Sequence, residues 1–144
     1  MHNIKIKFIK LKNNAVLPKA SHATDSGYDL SAIENVCIPA KGSGIVETGL
    51  QVASIESGYW FHIMPRSGLG FKYGIQPHLG VIDSGYTGPL GVKLYNFSDT
   101  DYKISAGDRI AQIVIYPLIC ADIEWTDNIK ETDRGCGGLG HTGS

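Results

Sequence analysis

Glycine and proline interrupt this chain at short intervals, and this spacing limits the fold more than any other feature. Eighteen glycines and six prolines are distributed over 144 residues, and both residue types disfavour the interior of a helix. The first segment between them alternates, with Ile4, Ile6 and Phe8 separated by Lys5 and Lys7, which is the period of a strand with one wet face. Turn signals about every ten residues predict an all-β sandwich or barrel of the jelly-roll type.

The same reading predicts where individual elements lie. We expect short strands in "VCIPAKGSG", "GIVETGLQVAS" and "GYWFHIMPR", and a turn at Ala106–Asp108 followed by a buried strand. The stretches "LGVID" and "PLGVKLYNF" flank turn residues at Ser84–Gly88, which predicts a β-hairpin. Only "RSGLGFKYGI" is expected to form a helical turn or two.

Composition excludes several classes of function. The length predicts one domain, and a formal net charge of −1 gives no overall field for binding nucleic acid or a membrane. The chain has no apolar run of membrane-spanning length and no signal-peptide pattern. Its three cysteines are widely spaced and fit neither a disulfide framework nor a zinc site. We therefore expect a cytoplasmic, or at least intracellular, protein, with the nucleus as an alternative in a eukaryotic or viral setting.

The C-terminal segment differs from the rest. From Thr126 the apolar pattern stops, and the chain ends in "RGCGGLGHTGS". We therefore predict a domain over residues 1–125 and a flexible, glycine-rich arm over residues 126–144. The arm is either a disordered end or a segment that orders on a ligand, because glycine lets main-chain N–H groups approach phosphate oxygens closely.

Five segments, taken in order, resemble a known enzyme family. They are "ATDSGYDLSA", "PRSGLGFKYGI", "GVIDSGYTG", "GDRIAQIVI" and "RGCGGLGHTG". Each is weak alone, but together they resemble the five motifs of the trimeric deoxyuridine triphosphate nucleotidohydrolases (dUTPases), over about Ala15 to Gly143. The resemblance implies a distorted jelly-roll β-barrel and a homotrimer with active sites at subunit interfaces. It also implies Mg²⁺-dependent hydrolysis of dUTP to dUMP and pyrophosphate, and an arm that closes over a neighbouring subunit's site.

The third motif carries the residue that the resemblance makes catalytic. Asp83 would orient and deprotonate the water that attacks the α-phosphorus, as a carboxylate can; a turn cap is the structural alternative. Tyr86 would pack on the deoxyribose and exclude a 2′-hydroxyl, and it can also serve as a packing aromatic. The main chain of Gly80, Val81 and Ile82 would recognise uracil.

The remaining substrate contacts implied by the family lie in four places. Gly91, on the strand predicted after the turn at Ser84–Gly88, would contact the base. Arg66, Ser67 and Gly68 would bind phosphate together with Gln112 and Arg134, since an arginine fork matches phosphate oxygens. For Arg66 a surface salt bridge is the alternative, and for Gln112 a strand hydrogen bond. Arg109 is expected as a structural ion-pair partner, and Leu139 and Gly140 would cover the substrate from the arm.

No carboxylate cage for Mg²⁺ is visible in the sequence, which fits a metal carried mainly by the triphosphate. Asp29 matches the aspartate of the first motif. It would hold a metal-bound water, or form a turn or interface hydrogen bond.

Two positions depart from the family pattern. Gly85 replaces an aspartate that is not the catalytic one, so activity should survive. Leu139 replaces a phenylalanine that stacks on uracil. Base–aromatic stacking contributes about 1–3 kcal/mol, and we therefore expect a weaker lid and a higher KM.

Two other functions are compatible with parts of the sequence. Gly85 makes the third motif similar to that of dCTP deaminase, but Lys93 stands where that enzyme needs a glutamate base. The other rival is a catalytically silent relative used for binding or regulation, against which the full set of Asp83, Arg66, Ser67, Gln112 and Arg134 argues.

Overall fold

The computed structural model describes residues 3–138. These residues form ten strands and one short helix, in the following order: β1 (Ile6–Lys10), β2 (Gly27–Ser31), β3 (Val36–Ile38), β4 (Ser43–Ile55), β5 (Tyr59–Met64), α1 (Ser67–Tyr73), β6 (Ile75–Pro77), β7 (Gly80–Ile82), β8 (Pro89–Asn96), β9 (Tyr102–Ile104) and β10 (Arg109–Pro117). No helix among them is long and apolar enough to cross a membrane.

The strands form two four-stranded antiparallel sheets and a two-stranded ribbon. One sheet has the order β1-β4-β8-β6, the other β2-β10-β5-β7, and β3 pairs with β9. Alternation places one face of each sheet in a shared core: in β8, Leu90, Val92 and Leu94 are buried, while the residues between them are exposed. The predicted all-β jelly-roll fold is confirmed.

Several local predictions are also confirmed. The expected helical segment forms α1. The turn before β10 contains Gly107 at φ +92° and is closed by a hydrogen bond from the Asp108 N–H to the Ser105 carbonyl at 2.9 Å.

The predicted hairpin between β7 and β8 is wrong. β7 pairs with β5, whereas β8 pairs with β4 and β6. The residues between them carry the chain from one sheet to the other, and the loop is tied to β4 by a bond from the Val52 N–H to the Gly88 carbonyl at 3.0 Å. Leu90, Val92 and Leu94 of β8 are buried, and Ile82 of β7 packs partly buried against the same core from the other sheet. Burial in two different sheets therefore outweighs the local turn signal.

Candidate active site

Three neighbouring strands bring the predicted phosphate-binding residues together. Asp29 on β2 pairs in register with Gln112 on β10, which pairs in turn with Met64 at the end of β5. Arg66 and Ser67 follow directly. With Gly68 and others they line an open cleft of about 370 Å³; the other lining residues are Ser21, Asp25, Ser26, Gly27 and Val114.

Arg66 is held in this cleft by two partners. Its Nε donates to Asp29 Oδ1 at 2.8 Å, and one terminal nitrogen donates to the Arg109 carbonyl at 3.3 Å. The other oxygen of Asp29 accepts a hydrogen bond from Arg109 at 3.4 Å. The second terminal nitrogen of Arg66 has no hydrogen bond to residues 3–138, so it can bind an anion.

Ser67 and Gly68 begin α1 without a side-chain cap, because Arg66 occupies the N-cap position and makes no capping bond. The first N–H groups of a helix have no acceptor within it, and both residues line the cleft, so their N–H groups are available there as donors. A Cβ added at Gly68 would meet no atom within 4 Å, which leaves the space beside this turn open to a ligand.

The side chain of Gln112 lies against Gly27, a glycine to which the sequence analysis assigned no role. Its Nε2 donates to the Pro65 carbonyl at 2.9 Å, so its side chain serves the loop rather than the strand ladder. A Cβ added at Gly27 would lie 1.7 Å from Gln112 Oε1. A lone glycine inside a strand indicates such a close approach, and this signal was available in "SGYDL".

The predicted uracil-binding strand lies at a sheet edge. β7 pairs only with β5 among the described strands, so its other edge carries unpaired main-chain groups. β6 pairs with residues 94–96 of β8, and Gly91 therefore lies in a part of β8 that is paired on the β4 side only. Both strands thus offer free N–H and C=O groups on either side of one loop.

Asp83 and Tyr86 lie in this loop. The turn is closed by the main chain, with the Tyr86 N–H donating to the Asp83 carbonyl at 2.9 Å. The Asp83 side chain is exposed and makes no hydrogen bond to the described residues, so it does not act as the turn cap. The Tyr86 hydroxyl donates to the Pro89 carbonyl at 2.7 Å, which folds the ring back over the loop.

A single chain keeps these two groups of residues apart. Ile82 pairs with Phe61 near the start of β5, and the chain then continues to Asp83 in that direction. Arg66 and Ser67 follow the opposite end of β5. Since β5 has six residues and a strand rises about 3.3 Å per residue, the two groups are separated by roughly 15–20 Å.

Arg134 contacts the arm itself within the described residues. Its guanidinium donates to the carbonyls of Gly137 at 2.7 Å and Gly138 at 2.9 Å. The structure therefore does not bring it to the cleft of its own chain. The predicted positions Leu139 and Gly140 lie outside the described residues.

The cleft does not offer a ready site for direct metal coordination. No group of three or more His, Cys, Asp or Glu side chains in residues 3–138 could hold a metal ion. The Asp29 carboxylate is already bonded on both oxygens to arginines.

Tyr102 adds a neutral hydroxyl near Arg66. Its ring lies 5.3 Å from that of Tyr73, the last residue of α1. Burial is the main cause that raises the pKa of Tyr102 above 10.0, with Asp108 and Tyr73 acting in the same direction and Arg66 opposing them. The hydroxyl therefore stays protonated at neutral pH.

Comparison with known proteins assigns the family. The family model for dUTPase matches residues 13–143. The chain belongs to the dUTPase family. It is 43% identical over 134 residues to the deoxyuridine 5′-triphosphate nucleotidohydrolase of Solanum lycopersicum, covering 93% of this chain and 79% of the relative. The Picosynechococcus enzyme is 43% identical over 141 residues, covering 96% and 99%. The chain is accordingly a hydrolase, a dUTP diphosphatase.

Solved structures agree with this dUTPase assignment. The dUTPase of Staphylococcus bacteriophage 80alpha with dUPNHPP is similar at a TM-score of 0.87 and 28% identity, covering 97% of this chain and 99% of the other. A mutant dUTPase from phage phi11 of S. aureus, described as revealing the coordination of a structural Mg(II) ion, gives a TM-score of 0.79 and 26% identity, covering 88% and 99%.

Proposed function

We propose that this dUTPase cleaves dUTP to dUMP and pyrophosphate through a water activated by Asp83 at the α-phosphorus. The supporting observation is the free carboxylate of Asp83 on a loop whose main chain is fixed at both ends. A carboxylate that accepts no hydrogen bond from its own loop remains available to accept a proton from water. A rigid loop places it reproducibly.

Phosphate binding is assigned to the cleft. Arg66, oriented by Asp29 and the Arg109 carbonyl, offers a free N–H group. Ser67 and Gly68 add main-chain donors at the start of α1. Gln112 completes the cleft, and together these donors would stabilise the charge that develops on the leaving pyrophosphate.

Active sites shared between subunits follow from the separation of the two groups. In this mechanism Asp83 lies beside the α-phosphate while Arg66 and Ser67 bind the adjacent phosphates. Within one chain, however, Asp83 follows a strand that pairs toward the start of β5, and Arg66 and Ser67 follow the end of β5. The loop of one subunit would therefore face the cleft of another. A homotrimer, in which one interface repeats around an axis, satisfies this requirement for all three copies.

Uracil selection is assigned to the free main-chain edges of β7 and β8. Gly80, Val81, Ile82 and Gly91 can present N–H and C=O groups to the base edge much as another base does. Tyr86 would form the apolar wall against the sugar, where a 2′-hydroxyl would lose its hydrogen bonds to water.

Mg²⁺ is proposed to arrive with the triphosphate. The chain offers no carboxylate cage within residues 3–138, and a Mg²⁺ ion often keeps several waters and binds mainly through substrate phosphates. Its chemistry would be neutralisation of phosphate charge. Asp29 orients Arg66, and the contact of Asp29 with a metal-bound water stays a prediction.

The arm, with Arg134, Leu139 and Gly140, is proposed to close over the site of a neighbouring subunit. The exposed side chains of residues 118–135 are consistent with a segment that packs on another copy. In the cell the enzyme would limit uracil entry into DNA and supply dUMP for dTMP synthesis. An intracellular location suits this role and the three unpaired cysteines.

Pyrophosphate release from dUTP tests the proposal. Asp83→Asn keeps the shape of the side chain but removes the base, and we expect kcat to fall by roughly 10²–10⁴-fold, the usual contribution of a general base. Asp99→Asn, at an exposed aspartate paired with Lys41, is the control and should leave kcat unchanged. Full activity in Asp83→Asn would contradict the mechanism.

A separate assay with dCTP tests the deaminase alternative. Lys93 is exposed, and its Nζ lies 5.5 Å from the centre of the Tyr95 ring, so it offers a cation where a deaminase needs a base. Incubation with dCTP should therefore release no ammonia.

A further inference from the structure

The loop between β7 and β8 fixes the ring of Tyr86 through the loop's own main chain. The Tyr86 hydroxyl bonds to the Pro89 carbonyl, and the Tyr86 N–H bonds to the Asp83 carbonyl. One side of the ring lies against the loop, and the residue remains 37% exposed. The exposed side is the surface available to a sugar.

Gly88 provides the space in which this ring lies. A Cβ added at Gly88 would lie 2.3 Å from the Tyr86 hydroxyl oxygen and 2.5 Å from Cζ, far inside van der Waals contact. Gly88 has no positive φ, so its backbone would accept any residue. The three atoms nearest to such a Cβ all belong to the Tyr86 phenol group, so the ring explains why a side chain is excluded here.

The main chain at this point is also held from the other side. The Gly88 carbonyl accepts a bond from the Val52 N–H at 3.0 Å, and the Thr87 carbonyl accepts one from the Gln51 side chain at 3.0 Å. Both partners belong to β4. Because the loop is tied to a long central strand, an added methyl group would displace the ring rather than the main chain.

We propose that Gly88 is a positioning residue for sugar selection: the absence of a side chain lets Tyr86 take the position from which it excludes a 2′-hydroxyl. The inference rests on the proposed role of Tyr86. It adds that selectivity for deoxyribose depends on Gly88, a residue that has no side chain with which to contact the substrate.

Gly88→Ala tests this, with kcat/KM measured for dUTP and for UTP. The ratio of the two should fall about tenfold, because a misplaced wall loses its contact with deoxyribose and no longer penalises the hydroxyl. Gly85→Ala is the matched control in the same loop, since a Cβ there meets no atom within 4 Å and φ is not positive. Its ratio should equal that of the wild type.

A double variant distinguishes the role proposed for Gly88 from the role proposed for Tyr86. In a Tyr86→Ala background, Gly88→Ala should change the ratio no further, because the displaced group is gone; an equal effect in both backgrounds overturns the inference. If Tyr86→Ala lowers the ratio and Gly88→Ala does not, the inference alone falls. If Tyr86→Ala leaves the ratio unchanged, the proposed role of Tyr86 falls and the inference with it.

Folding of each variant is checked by circular dichroism. If Gly88→Ala does not fold, restoration of folding by Tyr86→Ala would support the collision between the methyl group and the ring. Failure to fold in both backgrounds would overturn it.

Discussion

Two glycines of this enzyme are explained by the side chain of a neighbour and not by their own backbone. Gly27 lies under the amide of Gln112, and Gly88 lies under the ring of Tyr86. Neither has a positive φ. A residue without a side chain can therefore contribute to a binding site by leaving room for the group that makes the contact.

Gly27→Ala tests this at the cleft proposed to bind phosphate. The new methyl group would push the Gln112 amide away from the Pro65 carbonyl and out of the cleft. A hydrogen bond to a charged group contributes about 1.5–3 kcal/mol, so we expect kcat/KM for dUTP to fall roughly ten- to a hundredfold. The check is steady-state kinetics of Gly27→Ala alone and combined with Gln112→Ala. A loss in the double variant beyond that of Gln112→Ala would mean that Gly27 acts in another way.

At this scale the sequence predicted residue types better than their partners. That Arg66 and Gln112 lie in one cleft was expected from the family motifs. An ion pair was expected for Arg109 and was the alternative for Arg66, and both form. That Asp29 is the partner of both arginines was not predicted, since it depends on β2, β10 and β5 lying side by side. No local pattern encodes contacts between residues 37 and 80 positions apart.

Among the elements, β4 carries an irregularity opposite β8. Its pairing with β8 shifts register between Glu47 and Leu50, and Gly49 has φ +68°. The buried Thr48 hydroxyl satisfies this bulge by donating to the Leu90 carbonyl at 2.6 Å and accepting from the Leu50 N–H at 3.3 Å. The bulge therefore fixes the start of β8.

Thr48→Val should destabilise the protein by about 1–3 kcal/mol, because an isosteric methyl group leaves the Leu90 carbonyl and the Leu50 N–H without this partner in a buried place. Thr100→Val, at an exposed residue, is the control and should change the free energy of unfolding by less than about 0.5 kcal/mol. Urea denaturation at one fixed protein concentration measures both. Equal stability of the two variants would show that the bulge does not need the hydroxyl.

Strands and turns could be read from the sequence because alternation and glycine placement are local signals. The sheet that β7 joins could not be predicted from such local signals. β7 and β8 follow each other across turn residues, yet they belong to different sheets. Which sheet a three-residue strand joins depends on the burial that distant strands offer.

For the whole molecule, the central observation is that one chain keeps the two groups of proposed site residues apart. Asp83 and Tyr86 lie at one end of β5, and Arg66 and Ser67 follow its other end. The trimer was expected from the resemblance to a family and not from any interface signal in the sequence. The separation of the two groups supports the proposal that a site is shared between subunits.

Subunit mixing tests this reason directly. Asp83→Asn and Arg66→Ala each disable one half, so each variant alone should be nearly inactive. If Asp83 of one subunit works with Arg66 of another, unfolding and refolding an equal mixture should restore about a quarter of the wild-type activity, since each of the two positions in a shared site is intact half of the time. Refolding each variant separately and then combining the products is the control, and it should stay inactive when subunits do not exchange. If co-refolding restores nothing although an affinity tag on one variant co-purifies the other, mixed oligomers have formed without a working site, and the shared site is wrong.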